Sequence, residues 1–200
     1  MSTAMEKAGI VALSWFDSGA RSFYNNVRPV KTPGDVKGMK FRVMNNELFV
    51  GMVEALGGNA TPMAYSEVYQ SLKTSVVDGA ENNWPSYESS NHFEVAGFYS
   101  GTQHLILPEC LCVSKRAWEG LSGTDQKKVR LAARESAELQ RKLWAERAEK
   151  SQNAVIKAGI KYNRIQDKSA FQAAMKPVYD TAIKKNPVLK GLIADIQSVD

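Results

Sequence analysis

Apolar and polar positions repeat with two different periods along this chain, and the switches between them outline its elements. Residues 1–9 read as the end of a helix with Gly9 as its C-cap. Ile10 to Phe16, I-V-A-L-S-W-F, is a short apolar run fitting a buried strand, and Asp17-Ser18-Gly19 after it reads as a turn. Arg28-Pro29 and T-P-G-D at 32–35 mark a loop. Phe41-Arg42-Val43-Met44 alternates as a strand does. Asn45-Asn46 caps the next helix, in which Leu48, Met52, Ala55 and Leu56 recur at helical spacing before Gly57-Gly58. Asn59 to Met63 is a second extended segment. Ser66 is placed to cap the helix after it, and a third strand leads through Val76-Val77. The span 36–78 therefore predicts strand–helix–strand–helix–strand, with short connections that suggest βαβ units on a parallel sheet.

Further on, 88–100 reads as a helix and its exit, and Gly101 to Val113 as a long extended segment interrupted by Pro108. Lys115 to Leu121 is a short helix. Thr124 is placed to cap a long helix over 125–158, ended by Gly159, with a thin apolar stripe of Val129, Ala133, Ala137 and Leu143. Ile160 to Ile165 predicts a strand, 167–184 a helix kinked at Pro177, and the tail from Pro187 another helix.

The densest chemistry lies in V-V-D-G-A-E-N-N-W-P-S-Y at 76–87. Asp78-Gly79 reads as a tight turn, with Gly79 free to take positive φ. Asn82 and Asn83 offer donors and acceptors without charge, and Trp84 a flat face with one N–H. Pro85 biases Trp84 away from helix. Alone, such a corner suits either a ligand wall or a surface turn. Arg42, Tyr65 and Asn82 all fall at or after predicted strand ends, where ligands of parallel sheets bind. Arg42 sits among apolar neighbours, so its guanidinium needs a partner or a cleft. Together these placements favour a binding site.

Composition narrows the field only slightly. The chain has 200 residues, enough for one domain or two small ones, and its 44% hydrophobic and 24% charged content is ordinary for a globular protein. A net charge of +5 favours anionic partners without choosing among them. The basic residues are scattered, or alternate with acids over 125–157, which argues for a solvated helix face and against a nucleic-acid footprint. Only Cys110, Cys112, His92 and His104 could supply soft metal ligands, so no zinc site and no disulfide is expected. No apolar run approaches the roughly 20 residues of a membrane span. The start lacks a hydrophobic signal core, which fits a mature form, a cytosolic protein or a fragment.

Several stretches, taken in order, resemble the extracytoplasmic solute-binding proteins of TRAP transporters, the DctP family. They are G-A-R-S-F at 19–23, R-P-V-K-T-P at 28–33, D-V-K-G-M-K-F-R-V at 35–43, G-G-N-A-T-P-M-A-Y-S-E-V-Y-Q-S-L at 57–72 and V-D-G-A-E-N at 77–82. The long helix after Leu121-Ser122 also fits. The resemblance implies an α/β, two-lobed periplasmic-binding-protein-like fold. It implies a periplasmic protein that binds a small-molecule carboxylate and passes it to membrane subunits, without a cofactor. By the same resemblance Arg42 matches the family's carboxylate-gripping arginine, Arg21 its second ligand-side arginine, Asn82 the asparagine of its D-G-x-E-N motif and Tyr65 the aromatic before S-E-V-Y. Glu81, Asn83 and Trp84 complete the expected ligand wall. The match opens in mid-lobe, so the first lobe is expected to be incomplete. Residues 1–30 read as its remnant, 31–100 as the ligand-binding second lobe, and 101–200 as crossing strand, long helix and return. A bare lobe edge is expected to favour self-association.

Two other functions compete. An enzyme acting on an acidic metabolite would use Arg42 as clamp and Glu81 or Asp78 as base, but no nucleophile–base pair, metal cluster or phosphate loop supports it. A helical interaction scaffold built on 125–158 lacks sustained heptads. For the binding protein, paired amides suit hydroxyl groups and an indole suits the C–H face of a sugar ring. The expected ligand is therefore a hydroxylated acid such as a uronate or aldonate, over a plain dicarboxylate or an apolar keto acid.

Overall fold

A computed structural model describes residues 2–198. One mixed sheet runs through it in the order β3-β2-β4-β1-β5-β6. Its strands are β1 (Ile10–Asn25), β2 (Lys40–Val43), β3 (Asn59–Pro62), β4 (Gly79–Asn82), β5 (Phe98–Ser114) and β6 (Lys161–Arg164). The helices are α1 (Ser2–Lys7), α2 (Glu47–Ala55), α3 (Val68–Lys73), α4 (Trp84–Ser89), α5 (Lys115–Glu119), α6 (Gly123–Lys157), α7 (Ser169–Ala174), α8 (Lys176–Lys185) and α9 (Leu189–Gln197). β2 pairs in parallel with β3 and β4, so the predicted βαβ units of 36–78 are present, with α2 and α3 as their crossovers.

Alternation along β1 divides the core in two. Phe23 faces Phe41, Val43, Val53 and Leu56 on one side, while its neighbour Tyr24 faces Leu72, Ala80, Tyr87 and Tyr99 on the other. Arg42 pairs with Ala80 in register and shares the second side. α2 starts as expected, the Asn46 side chain accepting the Leu48 N–H at 2.8 Å.

Several expectations are corrected. Asp17-Ser18-Gly19 is no turn: β1 continues for 16 residues, with only Val11 and Ser14 buried over 10–16, and slips register against β5 between Asp17 and Ala20. Gly19 takes φ +71° there, and the Asp17 carboxylate accepts its N–H at 2.7 Å. Such a slip reads locally as a turn but only bends the strand. Pro108 pairs with Asp17 at this irregularity, where a missing N–H is tolerated.

Gly79 begins β4 without positive φ. A Cβ there would meet the Tyr24 carbonyl at 2.4 Å and the Phe41 ring at 2.5 Å, so close strand packing demands the glycine. Trp84 is the first residue of α4, because Pro85 in the first helical turn forfeits an N–H that needs no partner. Ser66 lies inside a short 3-10 turn and caps nothing; the Glu67 carboxylate accepts the Ala64 N–H instead. Ser122, not Thr124, caps α6. The expected helix over 167–184 is two, α7 and α8, with Pro177 in the first turn of α8. Both cysteines are free thiols.

Candidate functional site

Arg42 is the penultimate residue of β2, next to its carboxyl end. It is 3% exposed, and its Nε and Nη2 both donate to the Met63 carbonyl, at 3.1 and 2.9 Å. The Tyr65 ring lies 5.6 Å from the guanidinium carbon, a cation–π contact. Among the described residues no carboxylate forms an ion pair with Arg42. Burial, foremost, and the nearby Arg21 cation pull its pKa below the ordinary arginine value, against Glu81. It stays charged, as arginine does in proteins, and among the described residues it is the cleft cation that lacks an ion pair.

Arg21, on β1, is in the opposite condition. Its Nε donates to Glu81 Oε2 at 2.6 Å and its Nη2 to Oε1 at 2.8 Å, a bidentate pair, while Nη1 donates to Asn82 Oδ1 at 2.8 Å. Glu81 is fully buried. Burial would raise its carboxyl pKa, but Arg21 and His104, whose Nε2 stands 3.8 Å away, outweigh that and hold it below the ordinary value. Glu81 is thus a permanent counter-ion behind the cleft, not on its wall, and not a base poised near neutrality. Asp78 is also committed: its Oδ2 accepts the Lys40 N–H at 2.7 Å, at the far end of β4. Neither carboxylate named for an enzymatic reading is free in the cleft.

The amides divide in a similar way. Asn82 Oδ1 accepts from both Arg21 and the Asn83 N–H, which turns its NH₂ outward with no protein partner among the described residues. Asn83 is spent on structure, its Oδ1 accepting the Ser86 N–H as the α4 cap and its Nδ2 donating to the Ser18 carbonyl. Trp84 turns away from the cleft and stacks on Tyr99, ring centroids 3.5 Å apart.

Arg21, Arg42, Tyr65, Asn82 and Asn83 line one cleft of about 410 Å³. Sequence reasoning missed its other wall, which is Phe16 of β1, Glu109 of β5, and Gln140 and Trp144 of α6. Gln140 bolts α6 to the β1 irregularity, accepting the Asp17 N–H at 2.9 Å and donating to its carbonyl at 2.7 Å. Trp144 lies against Gly19, where a Cβ would come within 2.8 Å of its Nε1. The i, i+4 spacing of Gln140 and Trp144 put them on one helix face, but nothing local says which strand that face crosses. A larger groove of about 490 Å³ between α2 and α8 is mainly apolar and contains no buried cation. Among the described residues no group of three His, Cys, Asp or Glu could hold a metal.

The profile of the family described as bacterial extracellular solute-binding protein, family 7, DctP, matches residues 1–186. The chain belongs to this family. Among DctP-family relatives, a curated solute-binding protein of Chromohalobacter salexigens is 58% identical over 97% of this chain and 58% of its own length. A solved TRAP periplasmic solute-binding protein of a Sulfitobacter species, with bound β-D-galacturonate, is 59% identical, with a TM-score of 0.91 over 96% of this chain and 64% of that one. Another, from Roseobacter denitrificans with bound β-D-glucuronate, is 56% identical, with a TM-score of 0.95 over 100% of this chain and 66% of that one. This DctP-family chain therefore spans less than two thirds of these relatives, and its fold is that of their α/β, two-lobed class.

Proposed function

We propose that this chain is the solute-binding part of a TRAP transporter and takes a uronate, with Arg42 gripping the ligand carboxylate. The observation that carries the reading is the contrast between the arginines: Arg21 already holds Glu81 in both arms, whereas among the described residues no carboxylate pairs with Arg42. A guanidinium presents a planar fork to which a ligand carboxylate can bind through two oxygens. The unpartnered Asn82 NH₂ suits a hydroxyl or the same carboxylate, and the Trp144 face suits the C–H side of a sugar ring. The bound uronates of the solved relatives support the same ligand class. Arg21 and Glu81 orient Asn82 from behind. In this reading the protein works in the periplasm, without catalysis, delivers to membrane subunits, and uses 31–100 as its ligand-binding lobe between 1–30 and 101–200.

A thermal-shift screen of organic acids on the natural full-length protein tests this. Galacturonate and glucuronate should stabilise it by RT ln(1 + [L]/Kd), about 2.7 kcal/mol at a hundredfold excess over Kd. Stronger stabilisation by apolar keto acids or C4-dicarboxylates would refute the ligand class.

A further inference from the structure

The charges lining the cleft are unevenly matched. Arg21 is neutralised by Glu81, whereas among the described residues no carboxylate forms an ion pair with Arg42. The other two charged side chains on the wall are both acids, Asp17 and Glu109. Asp17 is tied into the β1 irregularity by the Gly19 N–H. Glu109 pairs in register with Phe16, beyond that irregularity from Arg42, and is exposed with no ion pair among the described residues. Among the described residues the cleft thus has one cation without an ion pair and, on the β5 side of the irregularity, one uncommitted carboxylate.

We propose that Glu109 sets the end-group specificity of the site, admitting sugar acids with one carboxylate and refusing those with a carboxylate at each end. The inference rests on the uronate reading above. The first carboxylate of any ligand occupies Arg42. A second would find no unpaired cation among the described residues and would face Glu109, and like charges repel. A neutral end bearing a hydroxyl can instead donate to Glu109 in a charge-assisted hydrogen bond. One residue thereby supplies both the attraction and the repulsion that discrimination requires.

The test is calorimetric titration of the natural full-length protein with D-galacturonate and with galactarate, its diacid counterpart. The readout is the ratio of the two Kd values, compared between the wild type and Glu109→Gln, so that ring-versus-chain differences between the ligands cancel. Wild type should favour galacturonate, and Glu109→Gln should shrink that preference about threefold, as expected for an exposed charge. Glu109→Lys should shrink it further, and raising salt should narrow the wild-type ratio while leaving that of Glu109→Gln in place. An unchanged ratio in Glu109→Gln, with galacturonate still bound by the wild type, overturns the role of Glu109 alone. Failure of the wild type to bind galacturonate overturns the uronate reading and this inference with it.

Discussion

Arg21 and Arg42 share a cleft yet do different work, and their neighbours decide which. Removing one member of a buried bidentate pair leaves a charge with nothing to balance it, so Glu81→Gln should destabilise the fold by about 3–5 kcal/mol. Arg42→Lys should leave folding nearly unchanged, while recovering only part of the ligand affinity that Arg42→Ala loses, because an ammonium cannot match two carboxylate oxygens in one plane. Urea denaturation separates the two; equal midpoints for Glu81→Gln and wild type would contradict the first claim. Acid adds a second signature. Glu81 is held below its ordinary pKa, so its contribution is complete above the unfolded value and fades as pH falls through the folded one. His92, pressed down to about 4 by burial and then by Arg42, stays neutral while an unfolded histidine protonates near 6.5. Between about 4 and 6.5 the unfolded chain binds the extra proton, so stability should fall as pH drops across that window. The loss is on the order of 3 kcal/mol in all, levelling off below it. His92→Gln should lose most of that slope between pH 7 and 5; an unaltered slope would exclude His92 as its source.

At the scale of elements, the sequence made the regular part of the fold legible and hid the irregular part. The strand of Phe41 to Val43, the Asn46 cap and the crossovers of 36–78 follow from local pattern, because period and capping are local properties. Arg42 could be placed at a strand end for the same reason. The long β1–β5 ribbon could not be read, since Asp17-Ser18-Gly19 has turn chemistry and only its pairing with Pro108 reveals a register slip. The second cleft wall was hidden too, because the contact of Gln140 with Asp17 joins residues 123 positions apart. Trp84's indole suits a ligand wall by type, whereas its direction is set by its stack on Tyr99, 84 and 99 being too far apart for local pattern to reveal it. Gly79 gives a test at this scale. Gly79→Ala drives a methyl into the Tyr24 carbonyl and Phe41 ring, so it should cost about 3 kcal/mol, at the upper end of overpacking. At about 2–4 °C per kcal/mol for a chain of this size, that lowers Tm by roughly 6–12 °C. A Tm within a degree of wild type would mean that β1 and β2 yield more easily than their packing indicates.

Across the whole molecule, apolar side chains stand in water on the strand ribbon and on α6. Ile106 is 67% exposed, and Leu131, Leu139 and Leu143 are each more than half exposed. An exposed apolar surface of this kind favours association, so the 200-residue chain should self-associate at micromolar concentration. Size-exclusion chromatography with light scattering checks this, with Ile106→Lys and Leu139→Lys expected to shift it toward monomer; a wild-type monomer throughout would refute it. The carboxylate clamp proposed for Arg42 predicts a larger effect on binding than on folding. Losing a charge-assisted contact to a buried acid costs about 3 kcal/mol or more, which is roughly a hundredfold in Kd. The most direct measurement is isothermal titration of D-galacturonate into the natural full-length protein and its Arg42→Ala variant, with circular dichroism to confirm equal folding. At least about hundredfold weaker binding by the variant is the predicted result; a folded Arg42→Ala that binds galacturonate as tightly as wild type would contradict the account.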